Sequence, residues 1–391
     1  MQVLDYLKEL DIKPAKRLSQ LEDKLVIDLG KNKATEIISV INERGRDERK
    51  GIKPDDEAFY HAKHEDMKIS LAISGAFDGD IIRRILEWLD DSTVEFGENV
   101  LDLGCENGIM TCYLAMNHPE SSFLGIDRSV DAIARANELK DRLGIANIRF
   151  EAIDSKDVDG KFDTVICSRN VHENLEYFTP DRMELFRVQA AAYQEHLKNH
   201  ASHMDSLLND GGEFIVIERA EITAFVAGWL LALNERGMSP VEFGEIEASY
   251  LGQDALFQVA IMKKTGRIDS KALLGTYIDF CLRDLGEAGK AQGPQEGAML
   301  LERTATGLIE GIDLYNSHDI RAARLAVWQC MDDMVMLERH SLGNGVHDYL
   351  LMPGNMAEDA LNVIRNDARN YRNNGFKGED LKKVLANQGL V

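Results

Sequence analysis

The sequence lacks the features that would place the protein in a membrane or in an oxidising compartment. Its longest apolar run, Ala224 to Leu233, has ten residues, whereas a membrane-spanning helix needs about 20, and the first residues contain no apolar signal core. Its five cysteines form no C-x-x-C pair and no metal-ligand spacing, which argues against a disulfide framework. We therefore expect a soluble, cytoplasmic protein that holds no metal and contacts no membrane.

Positive charge is also scarce. The 391 residues carry a formal net charge of −22. Nucleic-acid binding depends on cationic contacts to phosphate, so we expect no nucleic-acid partner. Hydrophobic residues make up 44% of the chain and charged residues 29%, which is an ordinary globular composition. The length predicts more than one domain.

What the sequence does contain is a strand that runs into a glycine-bearing turn. Residues 100–108 read Val-Leu-Asp-Leu-Gly-Cys-Glu-Asn-Gly, and a helical pattern begins at Ile109. A strand that ends this way, with the next helix pointing its free N–H groups at the turn, is typical of a site for a nucleotide-type ligand. The spacing is G-x-E-x-G rather than G-x-G-x-x-G, which weighs against a dinucleotide.

Residues 97 to about 265 resemble a class I S-adenosylmethionine (SAM) dependent methyltransferase. Five segments occur in the family's order: VLDLGCENG (100–108), FLGIDRS (123–129), IRFEAIDS (148–155), FDTVICSRNVHEN (162–174) and LLNDGGEFIVIE (207–218). At one position the sequence departs from the family, because Glu106 replaces the middle glycine of the loop. The turn must therefore accept a side chain there.

The resemblance implies SAM as the cofactor and a set of residues that bind it. Asp127 is expected to accept hydrogen bonds from the ribose hydroxyls, Asp154 to contact adenine, and Asp102 to support the loop near the methionine end. The complete predicted set is Asp102, Gly104, Cys105, Gly108, Asp127, Arg128, Asp154, Ser155 and Ser168. Structural roles are the alternatives, since Asp127 could cap the following helix and Asp154 could be a turn residue.

From Asn99 the hydrophobic pattern alternates between strand and helix, which predicts an α/β fold with a doubly wound, mostly parallel sheet. Strands are expected near 99–103, 122–127, 147–152, 162–167 and 212–218. Two further β-like runs, Val241 to Leu251 and Ala255 to Lys263, resemble the end of the seven-stranded methyltransferase sheet, whose last strand is antiparallel.

The parts outside the sheet are predicted to be helical. We expect a helical N-terminal extension over residues 1–95, the SAM-binding domain over 96–265 and a helical C-terminal domain over 266–391. The C-terminal helices are expected near 269–285, 297–315, 317–341, 357–372 and 378–387. A homodimer through these helices is one expected use of them.

Four residues are candidates for catalysis. His172 and Glu173 follow the fourth predicted strand, and either could serve as a base if the acceptor must lose a proton. Tyr60 and His64 lie four residues apart and would share a helix face, in a segment that in similar enzymes often closes over SAM and substrate. The structural alternatives are a packed helix start for His172 and a half-exposed polar face for Tyr60 and His64.

Three further histidines, His196, His200 and His203, have a spacing that suggests zinc. Each precedes a member of the apolar stripe of the same predicted helix, and no fourth ligand can be assigned. We therefore interpret them as the solvated flank of that helix and predict no metal.

These observations favour a SAM-dependent methyltransferase that acts on a small-molecule acceptor. Two alternatives remain open. A SAM-binding regulatory or scaffold protein would be marked by Glu106 in a degenerate loop, and an NAD-dependent oxidoreductase is disfavoured by the G-x-E-x-G spacing.

Overall fold

The computed structural model describes residues 1–50, 56–171, 178, 180–181, 184–219, 223–283, 294–315, 322–341 and 346–374. The chain divides into two compact units. The first comprises Met1–Glu176, Lys198–Ile222 and Leu233–Arg267, and the second comprises Tyr177–Leu197, Thr223–Ala232 and Ile268–Val391. The domain boundaries expected after residues 95 and 265 stay predictions. Across the described residues, no helix combines the length and the apolarity needed to cross a membrane.

Five helices precede the sheet in the first unit: α1 Val3–Glu9, α2 Leu18–Leu29, α3 Lys31–Arg49, α4 Asp56–Lys63 and α5 Met67–Asp91. The start of α5 is fixed by Asp66, whose carboxylate accepts the N–H of Ile69 at 2.8 Å, a capping bond that satisfies a helix-end donor. Most residues of α5 are buried, so this helix belongs to the core of the unit. The helical character predicted ahead of the sheet is confirmed.

The seven-stranded sheet of the first unit has the order β3-β2-β1-β4-β5-β7-β6. Its strands are β1 Asn99–Leu103, β2 Ser122–Asp127, β3 Ile148–Ala152, β4 Phe162–Ser168, β5 Leu208–Arg219, β6 Met238–Tyr250 and β7 Gln253–Lys264. The helices between them are α6 Ile109–Asn117, α7 Val130–Leu143, α8 Phe186–Leu207 and α9 Thr223–Glu235. The first five strands run parallel, while β7 is antiparallel to both β5 and β6. The predicted α/β fold is confirmed, including its antiparallel last strand.

The apolar faces of the helices and of the sheet form the core of this unit. Side chains from α1, α5, α6 and α7 join those of the strands in one buried cluster. Within it the hydroxyl of Tyr6 donates to the carbonyl oxygen of Ile109 at 2.7 Å, which satisfies a polar group at almost no exposure. Central β1 is buried over its last four residues, so its carboxyl end is fixed in position.

The second unit contains a four-stranded antiparallel sheet with the order β11-β10-β9-β8. Its elements after residue 268 are α10 Ser270–Cys281, α11 Pro294–Thr304, β8 Ala305–Leu314, β9 Ala323–Cys330, β10 Met334–Ser341, β11 His347–Pro353 and α12 Ala357–Asn374. The apolar face of α12 packs on this sheet in a separate buried cluster.

The prediction of a wholly helical C-terminal part is wrong. The helices expected near 269–285 and 357–372 are present as α10 and α12, but the helix expected at 317–341 is replaced by β9 and β10. The turn between these strands has φ of +57° at Asp332 and +55° at Asp333, which is the left-handed pair that closes a tight hairpin. The helix expected at 297–315 ends at Thr304, where β8 begins. The segment 378–387 lies outside the described residues.

The packing of α11 on β11 makes a stability prediction. A Cβ atom on Gly297 in α11 would collide with the ring of Tyr349 in β11. Gly297→Ala should therefore destabilise the protein by about 1–3 kcal/mol through overpacking, even though alanine favours a helix.

The matched control is Gly275→Ala in α10, where an added Cβ atom meets nothing within 4 Å. That variant should be neutral or more stable by about 0.5–1 kcal/mol. Urea unfolding of the full chain measures both. Equal stabilisation by the two substitutions would show that Tyr349 does not pack on α11 as described.

Candidate functional site: a cleft at the carboxyl edge of the sheet

A cleft enclosing about 490 Å³, open solvent included, lies at the carboxyl ends of the parallel strands. Its walls come from the turn after β1, the end of β2, the segments after β3 and β4, and α4. Because β1 lies between β2 and β4, the chain leaves this edge in opposite directions, and such switch points bind ligands in α/β sheets. The lining residues are Tyr60, Gly104, Ile126, Asp127, Arg128, Ser129, Ile153, Asp154, Ser155 and Asn170.

The turn after β1 brings the backbone close to its neighbours. Gly104 has φ of +74°, a conformation that favours glycine, and its N–H donates to the carbonyl oxygen of Ile126 at 2.9 Å. A Cβ atom on Gly104 would collide with the amide of Asn170. Gly108 also has φ of +74°, and a Cβ atom there would lie 2.7 Å from the ring of Phe150. Both glycines are required by close packing as well as by conformation.

Asp127 is held by two backbone donors. Its Oδ1 accepts the N–H of Ser129 at 2.8 Å, and its Oδ2 accepts the N–H of Glu106 at 3.1 Å. Burial raises the pKa of Asp127, and the two backbone N–H groups oppose that rise. A carboxylate offers about four acceptor directions, so sites remain for two ligand hydroxyls. The alternative role as the cap of α7 is wrong, because Ser129 caps that helix through a bond to Ala132.

Asp154 both closes a turn and lines the cleft. It caps the short 3-10 turn Ser155–Asp157 and accepts the N–H of Lys156 at 3.1 Å. The carbonyl oxygen of Ser155 lies 2.8 Å from Nε2 of His203 in α8. The cleft wall formed by the segment after β3 is thereby fixed from behind by α8.

Four predicted cofactor residues do not line the cleft: Asp102, Cys105, Gly108 and Ser168. Asp102 is buried, and its Oδ2 accepts the hydroxyl of Thr111 at 2.6 Å. Burial raises the pKa of Asp102 to about 6, and burial also raises the pKa of the Cys105 thiol. Asp102 thereby joins the end of β1 to α6, whereas Gly104, Asp127, Arg128, Asp154 and Ser155 line the cleft. The binding roles of all nine stay predictions.

The candidate catalytic residues Tyr60 and His64 lie in different environments. Tyr60 lines the cleft, while His64 is only 1% exposed, with its Nδ1 lying 3.0 Å from the hydroxyl of Ser70. The rings of Tyr60 and His64 stack with centroids 6.2 Å apart, so the predicted shared face is confirmed. His172 and Glu173 lie outside the described residues.

Glu106 occupies the loop position at which the family pattern has glycine. It has φ of +51°, and its carboxylate pairs with the ammonium of Lys63 and lies 3.3 Å from Nε2 of His64. Burial alone would raise the pKa of Glu106, but the ammonium of Lys63 and the nearby imidazole of His64 lower it well below its ordinary value. The turn therefore accepts a side chain that points away from the cleft into a buried ionic cluster.

That cluster continues to the end of β4. Asp78 in α5 lies 3.7 Å from Nζ of Lys63 and accepts a bond from Arg169 at 2.8 Å. Arg169 follows β4 directly, and the next residue, Asn170, lines the cleft. Sequence reasoning missed Lys63, Asp78 and Asn170, because their positions relative to the loop depend on how α4 and α5 pack.

The three histidines of α8 are less exposed than expected. Burial lowers the pKa of His200 to about 4, His203 bonds to Ser155, and the ring of His196 stacks on Phe178 with centroids 4.6 Å apart. The prediction of a solvated flank is therefore wrong for His200. Within the described residues, no group of three or more histidine, cysteine or acidic side chains could hold a metal ion.

Comparison with known proteins identifies the segment that carries the cleft. Residues 95–238 match the family model described as a methyltransferase domain. Trans-aconitate 2-methyltransferase of Deinococcus radiodurans is 30% identical over 117 residues, which are 27% of this chain and 40% of that protein. The tRNA (guanine-N(7)-)-methyltransferase of Synechocystis sp. is 38% identical over 50 residues, 13% of this chain and 24% of that protein. The chain thus spans less than half the length of these curated relatives.

The chain is also similar to solved structures. The N-methyltransferase NodS from Bradyrhizobium japonicum, in complex with S-adenosyl-L-homocysteine (SAH), has a TM-score of 0.36 and 20% identity, covering 48% of this chain and 89% of that one. Magnesium protoporphyrin IX methyltransferase from Synechocystis PCC 6803, with bound SAM, has a TM-score of 0.34 and 21% identity, covering 46% and 77%. Both neighbours are methyltransferases.

The raised pKa of Asp102 predicts a pH-dependent stability. A carboxyl group whose pKa is higher in the folded state stabilises the fold when protonated, and this contribution is lost as pH rises through about 6. Between pH 5 and 7.5 the loss should be about 1 kcal/mol. Asp102→Asn, which cannot ionise, should remove this component.

Urea unfolding of wild type and Asp102→Asn at both pH values measures the difference. Asp157→Asn, at an exposed position, is the matched control and should keep the wild-type pH dependence. An identical pH dependence in wild type and Asp102→Asn would contradict the buried, raised-pKa assignment.

Proposed function

We propose that this chain, whose residues 95–238 match the model of a methyltransferase domain, is a class I SAM-dependent methyltransferase that transfers the methyl group of SAM to a small-molecule acceptor. The observation that carries the proposal is the cleft at the carboxyl edge of the sheet. It places a carboxylate, a glycine turn and apolar side chains around one space at the switch point between β1 and β4.

The residues of the cleft fit an adenosyl ligand. Asp127 would hold the ribose hydroxyls, and Ile126 and Ile153 would contact the adenine ring beside Asp154. Gly104, which presents no Cβ atom, would let the ligand lie against the turn.

SAM supplies a methyl group on a positively charged sulfur, from which an acceptor displaces it in line. The tasks that remain for the protein are to align the acceptor and to exclude water. Tyr60 and Asn170 line the cleft from α4 and from the end of β4, where they would contact the ligand. His172 or Glu173 would take a proton from an acceptor that carries one.

A small-molecule acceptor is supported by the charge of the chain. The net charge of −22 repels a polyanion, so a nucleic-acid acceptor is disfavoured. One relative is named for a small carboxylic acid, trans-aconitate, and another for tRNA. Cytoplasmic location and a homodimer stay predictions.

The NAD-dependent alternative loses support. Dinucleotide-binding folds continue with parallel strands in the order 3-2-1-4-5-6, whereas here the antiparallel β7 lies between β5 and β6. The regulatory alternative requires a cofactor site without turnover, so it is separated from the enzyme by assay. Labelled SAM offered with a panel of small acids, amines and hydroxyl compounds should yield a methylated product and SAH. Binding of SAM without any turnover would favour the regulatory alternative.

Substitution of Asp127 tests the cofactor site. Asp127→Asn should weaken SAM and SAH binding by about 1–3 kcal/mol, because charged hydrogen bonds to the ribose are lost. Calorimetric titration with SAM, SAH and NAD measures it, with Asp157→Asn as the control that keeps wild-type affinity. Wild-type binding of NAD in place of SAM, or full SAM affinity in a folded Asp127→Asn variant, would contradict the assignment.

Substitution of His172 tests the proposed base. His172→Ala should lower turnover by roughly 10²-fold or more, since general-base catalysis contributes that much, while SAM affinity stays unchanged. Glu173→Gln is the paired variant. Loss of turnover only in Glu173→Gln would transfer the role to Glu173, and full activity in both would remove the base from this segment.

A further inference from the structure

The cleft wall that does not belong to the sheet is formed by α4. Among the described lining residues, Tyr60 alone comes from a helix that precedes the sheet. Its position depends on what holds α4, and α4 ends at Lys63, whose ammonium is paired with Glu106 on the glycine turn.

We propose that Glu106 is a positioning residue that, through Lys63 and His64, holds α4 and thereby Tyr60 at the adenosyl cleft. The inference rests on the proposed function, since it assigns a role in cofactor binding to a residue that does not itself line the cleft.

The backbone conformation of Glu106 is unfavourable for a residue with a side chain, which indicates that the side chain has a structural role. Its φ of +51° lies in the left-handed region, which costs a residue with a Cβ atom more than it costs glycine. The carboxylate of Glu106 pairs with Lys63, which is 6% exposed, and lies near His64, which is 1% exposed. A buried ammonium is stable only when a carboxylate accompanies it. Glu106 pairs directly with Lys63, and Asp78 lies 3.7 Å away, so Glu106 is the nearer of the two carboxylates that fix the end of α4.

The same residue also fixes the opposite wall. The N–H of Glu106 donates to Asp127 at 3.1 Å, so its backbone orients the proposed ribose carboxylate while its side chain holds α4. One residue therefore connects the two walls. The role of the backbone at Asp127 and the role of the side chain at α4 can be tested separately, because Glu106→Gly keeps the N–H and removes only the side chain.

The contact between α4 and α7 is weaker, and a second contact near Glu106 supports the loop instead. His61 and Asp131 in α7 are paired at 2.8 Å, yet their side chains are 69% and 44% exposed, and exposed pairs contribute little. The side-chain amide of Asn107 bonds to the hydroxyls of Ser70 and Ser74 in α5 at 2.9 Å each, which supports the loop rather than α4. The buried pair of Glu106 with Lys63, which Asp78 approaches at 3.7 Å, is the dominant charged anchor of α4 among the described residues.

The first test is SAH affinity, measured by calorimetry on the full chain. Glu106→Gly and Lys63→Met should each weaken binding roughly tenfold or more, since small displacements of a binding group are costly. The double variant should lose no more than either single one, because both break the same pair. Lys63→Arg, which retains the charge, should restore affinity relative to Lys63→Met.

The second test asks whether Glu106 acts through Tyr60. Tyr60→Ala should weaken SAH binding in the wild type and have little further effect in Glu106→Gly, which is non-additivity of coupled residues. Asp131→Asn, which removes the exposed anchor of α4, is the matched control and should change affinity by less than about threefold. Additive effects of Tyr60→Ala and Glu106→Gly, or wild-type affinity in Glu106→Gly, would overturn the proposal.

The third test needs no ligand. Amide hydrogen exchange in peptides covering residues 56–66 should become faster in Glu106→Gly, while exchange in β1 and β4 should not change. Unchanged exchange in α4 would overturn the anchoring role. Failure of wild type to bind SAH would contradict the proposed function instead, and faster exchange of α4 in Glu106→Gly would still support the anchor.

Discussion

The left-handed turn between β1 and α6 is the constraint on which the first unit depends. Gly104 and Gly108 share a φ of +74°, and each is packed so closely against a neighbouring side chain that a Cβ atom would collide. This turn also directs the backbone N–H of Glu106 at Asp127. The position of the cleft, its carboxylate and the start of α6 therefore all follow from a few backbone angles after one buried strand.

Two acidic side chains of this loop show how surroundings decide ionisation. Burial raises the pKa of Asp102 to about 6, and the hydrogen bond from the hydroxyl of Thr111 only partly opposes this rise. Glu106 is also buried, but the ammonium of Lys63 and the nearby imidazole of His64 lower its pKa. The two carboxyl groups lie four positions apart in sequence. Of the two, only Glu106 has a cation beside it and so stays ionised at little cost. The same pair with Lys63 holds the end of α4.

Much of the first unit could be predicted because its signals are local. The strands β1, β2, β4 and β5 contain apolar runs, and β3 alternates apolar and charged residues. Residues with turn propensity follow β1, β2 and β3, so the α/β alternation is visible in the sequence. The second unit was mispredicted because its hairpin turn uses Asp332 and Asp333, which tolerate left-handed angles but lack the Asn-Gly signal. Ala and Leu in β9 also have high helix propensity, and strand pairing outweighed it.

The sequence by itself determined the sheet, the glycine turn and the acidic residues at the strand ends, because each depends on periodicity or on spacing along the chain. It placed Gly104, Asp127, Arg128, Asp154 and Ser155 at one edge for that reason. Only the tertiary structure decided that Asp102 and His64 are buried away from the cleft, that Tyr60 and Asn170 line it, and that Lys63 meets Glu106. Those outcomes depend on how α4 and α5 pack against the loop, and residues 43 positions apart leave no local pattern that records their contact.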